Sequence, residues 1–282
     1  MNASPLILAA DLAARLGDEN LLVVDCRFDL ADPQRGARDY AEAHIAGAVY
    51  ADLNRDLSDL SKPKLGRHPL PDAAAFSAVL GGWGWTPQTR VVAYDDAGGA
   101  LAAARLWWML RLVGAENITV LDGGWAAWKR AGLPVDASQP KRTATQVSLE
   151  FATKEIVYTD ELRALRSVPS ALVLDARGAQ RFRGEVEPID PVAGHIPGAH
   201  NRPFTENLQA DGRFKPAAEL RAELQAAIGA HAPGEVIHSC GSGVSACQNL
   251  LAFEVAGLAG SHVYAPSWSG WIADPDNPVE RG

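Results

Sequence analysis

Ala171-Leu172-Val173-Leu174-Asp175-Ala176-Arg177 reads as a short buried strand whose apolar run ends in charge. The same pattern stands 150 residues earlier as Leu21-Leu22-Val23-Val24-Asp25-Cys26-Arg27. Further landmarks recur in the same order. His44-Ile45-Ala46-Gly47-Ala48 returns as His195-Ile196-Pro197-Gly198-Ala199, and Trp125-x-x-Trp128 as Trp268-x-x-Trp271, with separations of 151 and 143. Each match is weak alone, but their common order makes the chain a tandem duplication. Within each half, apolar strands such as Thr89 to Tyr94 and Gly234 to Ser239 precede Ala- and Leu-rich helical stretches, the alternation of a mostly parallel α/β sheet flanked by helices. Weak periodicity and several Pro, Ser and Thr residues between Leu133 and Glu155 mark a linker. The expected division is one domain over 1–135, a linker over 136–154 and a second domain over 155–282.

A length of 282 residues suits two cores of ordinary size. With 47% apolar and 21% charged residues, the chain has the composition of a folded globular protein. A net charge of −8 without a Lys/Arg run gives no reason to expect nucleic acid or an anionic membrane as partner. The start of the chain, Met1 to Leu8, has no basic leader, and no uncharged run reaches the ~18 residues of a membrane span, so a cytoplasmic location is expected. Three cysteines are too few for a disulfide framework and are not spaced as metal ligands.

The strand Val236-Ile237-His238-Ser239 runs into Cys240-Gly241-Ser242-Gly243-Val244-Ser245-Ala246, after which the spacing turns helical. A Gly-rich turn at a strand's carboxyl end lets backbone N–H groups converge on one anion, and a thiolate is such an anion. Cys240 is therefore the candidate nucleophile. Superposing the halves sets Tyr94-Asp95-Asp96-Ala97-Gly98 on Ser239-Cys240-Gly241-Ser242-Gly243, so Asp95 occupies the nucleophile's place in the first half.

Asp175-x-Arg177, Arg181-Phe182-Arg183-Gly184, Gly194-His195-Ile196-Pro197-Gly198-Ala199, the Cys240 loop and Ser267-Trp268-x-x-Trp271 together resemble the catalytic half of tandem-domain rhodaneses. The first half looks like that family's inactive partner domain. The resemblance implies two rhodanese-like domains and a double-displacement cycle. In it, Cys240 takes sulfur from a small donor as a persulfide and passes it to a thiol or cyanide, with no cofactor or metal and as a monomer. Within the family a Cys-Gly-Ser-Gly-Val-Ser-Ala loop is similar to that of 3-mercaptopyruvate sulfurtransferases, whereas thiosulfate enzymes usually place Arg and Lys after the cysteine. The implied substrate-binding residues are Gly241, Ser242, Gly243, Val244 and Ser245 of the loop, with Arg181 and Arg183 offered to a carboxylate. His68, before Pro69-Leu70-Pro71, matches a family His expected to reach the active cleft. It lies in a segment, Arg55 to His68, that accounts for six more residues between Ala48 and Asp95 than between Ala199 and Cys240. Two departures stand out. Mercaptopyruvate enzymes commonly carry a second Arg where this chain has Asp190, and the acidic partner of the family's His is replaced by Asn54.

Other features carry plainer expectations. Cys26 aligns with Ala176 and should fill core, and Cys247 should pack rather than resolve a disulfide. His44 and His195 recur in both halves and should hold a turn, while Arg27 and Arg177 should pair with Asp25 and Asp175. Trp107, Trp108, Trp125, Trp128 and Trp271 should be core, with Trp268 the one expected at the pocket rim. Asp95 and Asp96 lack further ligands for a metal and read as the relic of a degenerate site. A cysteine-dependent phosphatase is disfavoured, because Ala246 stands six residues after Cys240 and no Arg intervenes. The alternatives kept are a thiosulfate:cyanide sulfurtransferase and a non-enzymatic persulfide carrier or redox sensor in which Cys247 resolves Cys240.

Overall fold

The computed structural model describes residues 4–100, 102–165, 168 and 171–282; Met1, Asn2 and Ala3 of the expected leaderless start lie outside them. It divides into two compact units, one of Met1–Asp59, Leu70–Ala152 and Ala210–Phe214, the other of Leu60–Pro69, Thr153–Gln209 and Lys215–Gly282.

In the first unit the elements run β1 (Leu6–Ile7), α1 (Ala9–Ala13), β2 (Leu21–Asp25), α2 (Arg35–Glu42), β3 (His44–Ile45), β4 (Val49–Tyr50), α3 (Ala73–Gly82), β5 (Arg90–Tyr94), α4 (Ala103–Leu112), β6 (Ile118–Leu121), α5 (Gly124–Arg130) and β7 (Val135–Asp136). The sheet is parallel, in the order β1-β6-β5-β2-β4, and β3 pairs antiparallel with β7. The second unit runs β8 (Ile156–Val157), α6 (Thr159–Leu165), β9 (Leu172–Asp175), α7 (Ala179–Phe182), β10 (His200–Asn201), α8 (Ala217–Ile228), β11 (Val236–Ser239), α9 (Ala246–Val255), β12 (His262–Tyr264) and α10 (Ser267–Trp271). Its parallel order is β10-β9-β11-β12-β8, the first unit's order strand for strand. The duplication read from the sequence is thus a duplication of topology.

Strands β2 and β9 are apolar up to their last residue because both faces of the sheet are covered, and all of their residues are buried. Each ends in an aspartate that accepts from an arginine two residues on. Arg27 Nη2 lies 2.6 Å from Asp25 Oδ2, and Arg177 Nη2 lies 2.8 Å from Asp175 Oδ2. The guanidiniums stack over Trp125 at 4.6 Å and Trp268 at 4.9 Å. The histidines behave alike: His44 Nδ1 meets Tyr40 O at 2.7 Å and His195 Nδ1 meets Phe182 O at 2.8 Å, each ring stacked on the aromatic that carries the carbonyl. Their expected role in holding a turn is what this geometry describes. Trp128 and Trp271, both fully buried, donate Nε1–H to Pro134 O and Pro278 O.

The stretch read as linker is strapped to the first unit. Thr145 N donates to Gly81 O, Thr145 Oγ1 to Trp85 O, and Leu149 N to Ser77 Oγ. Gly81 permits this approach, since a Cβ there would lie 2.5 Å from Thr145 O. An irregular segment without periodicity still has backbone donors to satisfy, and here α3 and its flank satisfy them. Among the described residues no helix is long and apolar enough to cross a membrane.

Candidate active site

The second sheet builds the site from its middle strand. β11 pairs with β9 on one side and β12 on the other, so its carboxyl end delivers Cys240 to the centre of the sheet's edge. Ser239 O still accepts from Ala176 N at 2.8 Å, which fixes the last residue before the loop. The chain then turns through Gly243, at φ +74°, and enters α9.

This turn folds two amides back onto the sulfur. Ser242 N and Gly243 N lie 3.4 and 3.2 Å from Cys240 Sγ, which sits at the base of the loop with only 1% of the residue exposed. Such N–H groups can donate to a sulfur on which negative charge develops. From below, α10 closes the site. Cys240 N donates to Ser267 Oγ at 3.1 Å, Trp268 N to Cys240 O and Ser269 N to Gly241 O, both at 2.9 Å. Ser267 Oγ is also 3.9 Å from Cys240 Sγ, and Ser267 is the one non-glycine at positive φ among the described residues.

The segment Leu60–Pro69 docks on α10. Arg67 N donates to Ser269 Oγ at 2.9 Å, and a Cβ on Gly66 would lie 2.5 Å from Pro266 O. The docking carries His68 to the loop: its Nδ1 lies 2.8 Å from Ser242 Oγ, with both side chains buried. Arg67 comes along too. Its Nη1 bonds to Asp190 Oδ1 at 2.5 Å, and its Nη2 is 3.1 Å from where a Cβ on Gly241 would stand. Arg181 reaches the same place from α7, its Nη1 and Nη2 each 3.8 Å from that point. It is held by Glu187 at 2.8 Å and by Asp190 Oδ2 at 3.1 Å. Beneath them Arg177 keeps its charge. Burial works against it, but Asp175, Glu187 and Cys240 outweigh that and raise its pKa above the ordinary value.

The sequence-derived residues thus fall into two groups. Cys240, Gly241, Ser242, Gly243, His68 and Arg181 converge; Val244 and Ser245 continue the loop into α9. Arg183 does not join them. It is half exposed and pairs with Glu185 at 2.6 Å. Trp268 corrects an expectation, because it does not rim the pocket. It is fully buried, donates Nε1–H to Val192 O at 2.9 Å, and lies under the loop because its own N–H is needed by Cys240 O. Cys26 is fully buried; burial first, then Asp95 and Asp25, push its thiol well above the ordinary value, as befits inert core. Cys247 is buried with its thiol donating to Gly243 O at 3.4 Å, and Cys26, Cys240 and Cys247 are not joined in disulfides. Two lining residues escaped the sequence reading, Arg67 and Ser267. Adjacency to His68 was the only available hint for the first, and the position before Trp268 for the second.

The first unit's loop holds a different anion. Asp95 Oδ1 accepts from Ala97 N at 3.0 Å and Gly99 N at 2.8 Å, while Oδ2 accepts from Ala102 N and Ala103 N, both at 3.1 Å.

Comparison with known proteins agrees with this geometry. The family profile described as Rhodanese-like domain matches twice, over residues 8–131 and 158–274. The chain is 47% identical to a probable 3-mercaptopyruvate sulfurtransferase of Pseudomonas aeruginosa, covering all of both chains. It is 38% identical to a putative thiosulfate sulfurtransferase of Mycobacterium tuberculosis, over 98% of this chain and 97% of that one. Among solved structures, 3-mercaptopyruvate sulfurtransferase from Leishmania major superposes with a TM-score of 0.83 at 34% identity, over 94% of this chain and 73% of that one.

Proposed function

The chain belongs to the rhodanese family, as a sulfurtransferase with two rhodanese-like domains in tandem, and from that premise we propose that it moves sulfur from 3-mercaptopyruvate to a thiol or cyanide through a persulfide on Cys240. The observation that carries this reading is the pair of N–H groups, Ser242 and Gly243, aimed at Cys240 Sγ in a loop with no charged side chain. The Cys240 thiolate attacks the donor's sulfur, the C–S bond breaks, and its electron pair leaves as the enolate of pyruvate. Ser242 Oγ, with His68 behind it, stands where a hydroxyl can donate to the donor's carbonyl oxygen as that negative charge grows. A proton on carbon then completes pyruvate. In the second half-reaction an acceptor thiolate or cyanide attacks the outer sulfur and returns Cys240 as thiolate, leaving a persulfide or thiocyanate.

No protein-bound metal or organic cofactor takes part in these steps. We extend the proposal to a monomer acting in the cytoplasm on small-molecule donors and acceptors, with no nucleic acid or membrane partner. Donor preference follows from charge. Thiosulfate is a compact dianion that needs countercharge at the sulfur itself, which the side chains of Gly241, Ser242, Gly243 and Val244 do not provide. A mercaptopyruvate carboxylate can sit away from the sulfur, near Arg181. A second reading, thiosulfate as donor, has support in the name of the mycobacterial relative.

Side-by-side turnover separates the two. Mercaptopyruvate is expected to exceed thiosulfate in kcat/KM by about tenfold or more, the worth of one charge-assisted hydrogen bond. Equal or reversed values would overturn the donor and leave the sulfurtransferase.

A further inference from the structure

We infer that Arg67 is a substrate-binding residue that, with Arg181, receives the donor's carboxylate above Gly241. The inference deepens the proposed function and rests on it for the identity of the donor. Its grounds are geometric. Asp190 is almost fully buried and spends one oxygen on each arginine, Oδ1 on Arg67 Nη1 and Oδ2 on Arg181 Nη2. One carboxylate therefore fixes two guanidiniums side by side. Glu187 holds Arg181 from behind through Nε and Nη2, so that Nη1 is used in none of these bonds. Nη2 of Arg67 likewise takes no part in the bond to Asp190, and among the described residues Nε of Arg67 is buried without a hydrogen-bond partner. The unused edges lie over the first glycine after the nucleophile, 3.1 Å for Arg67 and 3.8 Å for Arg181 from the position of a Cβ there.

Glycine at 241 lets the guanidiniums come this close to the loop, since a Cβ there would press on Arg67 Nη2, and two guanidinium edges side by side suit a planar carboxylate better than one. Arg67 is a quarter exposed, and with Asp190, Pro63, Gly66 and Ser269 it also lines a groove beside the loop. Position 190, where the resemblance to mercaptopyruvate enzymes leads to an expected arginine, carries instead the acid that holds Arg67.

A test that does not depend on the natural donor uses two alkylating agents of similar size, iodoacetate and iodoacetamide, with labelling of Cys240 followed by peptide mass. Arg67→Ala is expected to slow iodoacetate about tenfold while changing iodoacetamide less than about twofold, since only the former carries a carboxylate. The double variant Arg67→Ala/Asp190→Asn restores the local charge balance and is expected to keep the loss. Equal effects on both reagents, or recovery of the iodoacetate rate in the double variant, would overturn a specific contact by Arg67. Should Arg67→Ala fail to fold, Arg67→Met keeps the aliphatic stem and gives the same readout. Failure of mercaptopyruvate turnover with an intact iodoacetate preference would count against the donor but not against Arg67.

Discussion

Asp95 and Cys240 occupy the same turn in two copies of one fold, and the two loops put it to different use. In both, the strand end is tied identically: Cys26 N donates to Tyr94 O and Ala176 N to Ser239 O, while Trp125 N donates to Asp95 O and Trp268 N to Cys240 O. In the first unit the amides of Ala97, Gly99, Ala102 and Ala103 close on the Asp95 carboxylate, the last two from the start of α4. In the second, the amides of Ser242 and Gly243 meet the sulfur of Cys240. A backbone nest for an anion is thus filled permanently by a side chain in one half. In the other it is filled by a group that we propose accepts and releases sulfur. The first unit's loop puts the same electrostatic device to structural use.

The largest effect expected from this contrast is on stability. Asp95→Ala removes the acceptor of these amides and should cost about 3–5 kcal/mol in urea unfolding, with activity per folded molecule unchanged. Cys240→Ala should cost less than about 1 kcal/mol, because sulfur is a weak acceptor, while removing activity. A cost below about 1 kcal/mol for Asp95→Ala would break the comparison.

The strands beneath the loops differ next. His238 of β11 stands where β5 has Ala93. Burial, and then His262, lower its pKa to about 3, with Nε2 on Ser261 Oγ at 2.9 Å. The unfolded chain takes up this proton near pH 6.5 and the folded unit does not. The stability from a neutral His238 is therefore present above pH 6.5 and is lost as pH falls toward 3, at up to about 1.4 kcal/mol per pH unit. His238→Leu should flatten that part of the acid limb; an unchanged slope would contradict a neutral buried ring.

The smallest effect concerns the residue under each loop. Ser267 takes φ +52°, a value that Gly124 also has in the first unit, where a Cβ would lie 2.2 Å from Asp95 O. Only the half with the cysteine keeps a hydroxyl in this strained conformation. Ser267→Ala should be less stable than Ser267→Gly by about 1 kcal/mol, the left-handed penalty. Both should slow turnover, since both leave Cys240 N without its acceptor. Equal stability of the two variants would remove the strain from the account.

The repeat and the parallel sheets were legible because burial on both faces writes unbroken apolar runs, and Leu21–Asp25 and Leu172–Asp175 are such runs. Cys240 was legible because a glycine-rich turn after a strand leaves few other readings. Arg67 was not, because its bond to Asp190 spans 123 residues of sequence and nothing local marks either partner. Arg183 looked as good as Arg181, since a four-residue helix decides which of two nearby arginines faces the loop. Trp268 was misplaced for a related reason. A Trp beside an active loop reads equally well as rim or floor until the hydrogen bond from its N–H to Cys240 O is known.

The central claim, that the second loop carries transferable sulfur and the first does not, is tested most directly by the intact mass of the protein after brief treatment with 3-mercaptopyruvate and removal of excess donor. The account predicts a gain of one sulfur atom per chain, mapped to Cys240, absent in Cys240→Ser, retained in Cys247→Ser and discharged by cyanide. A gain that persists in Cys240→Ser, or that maps to Cys26 or Cys247, would contradict it.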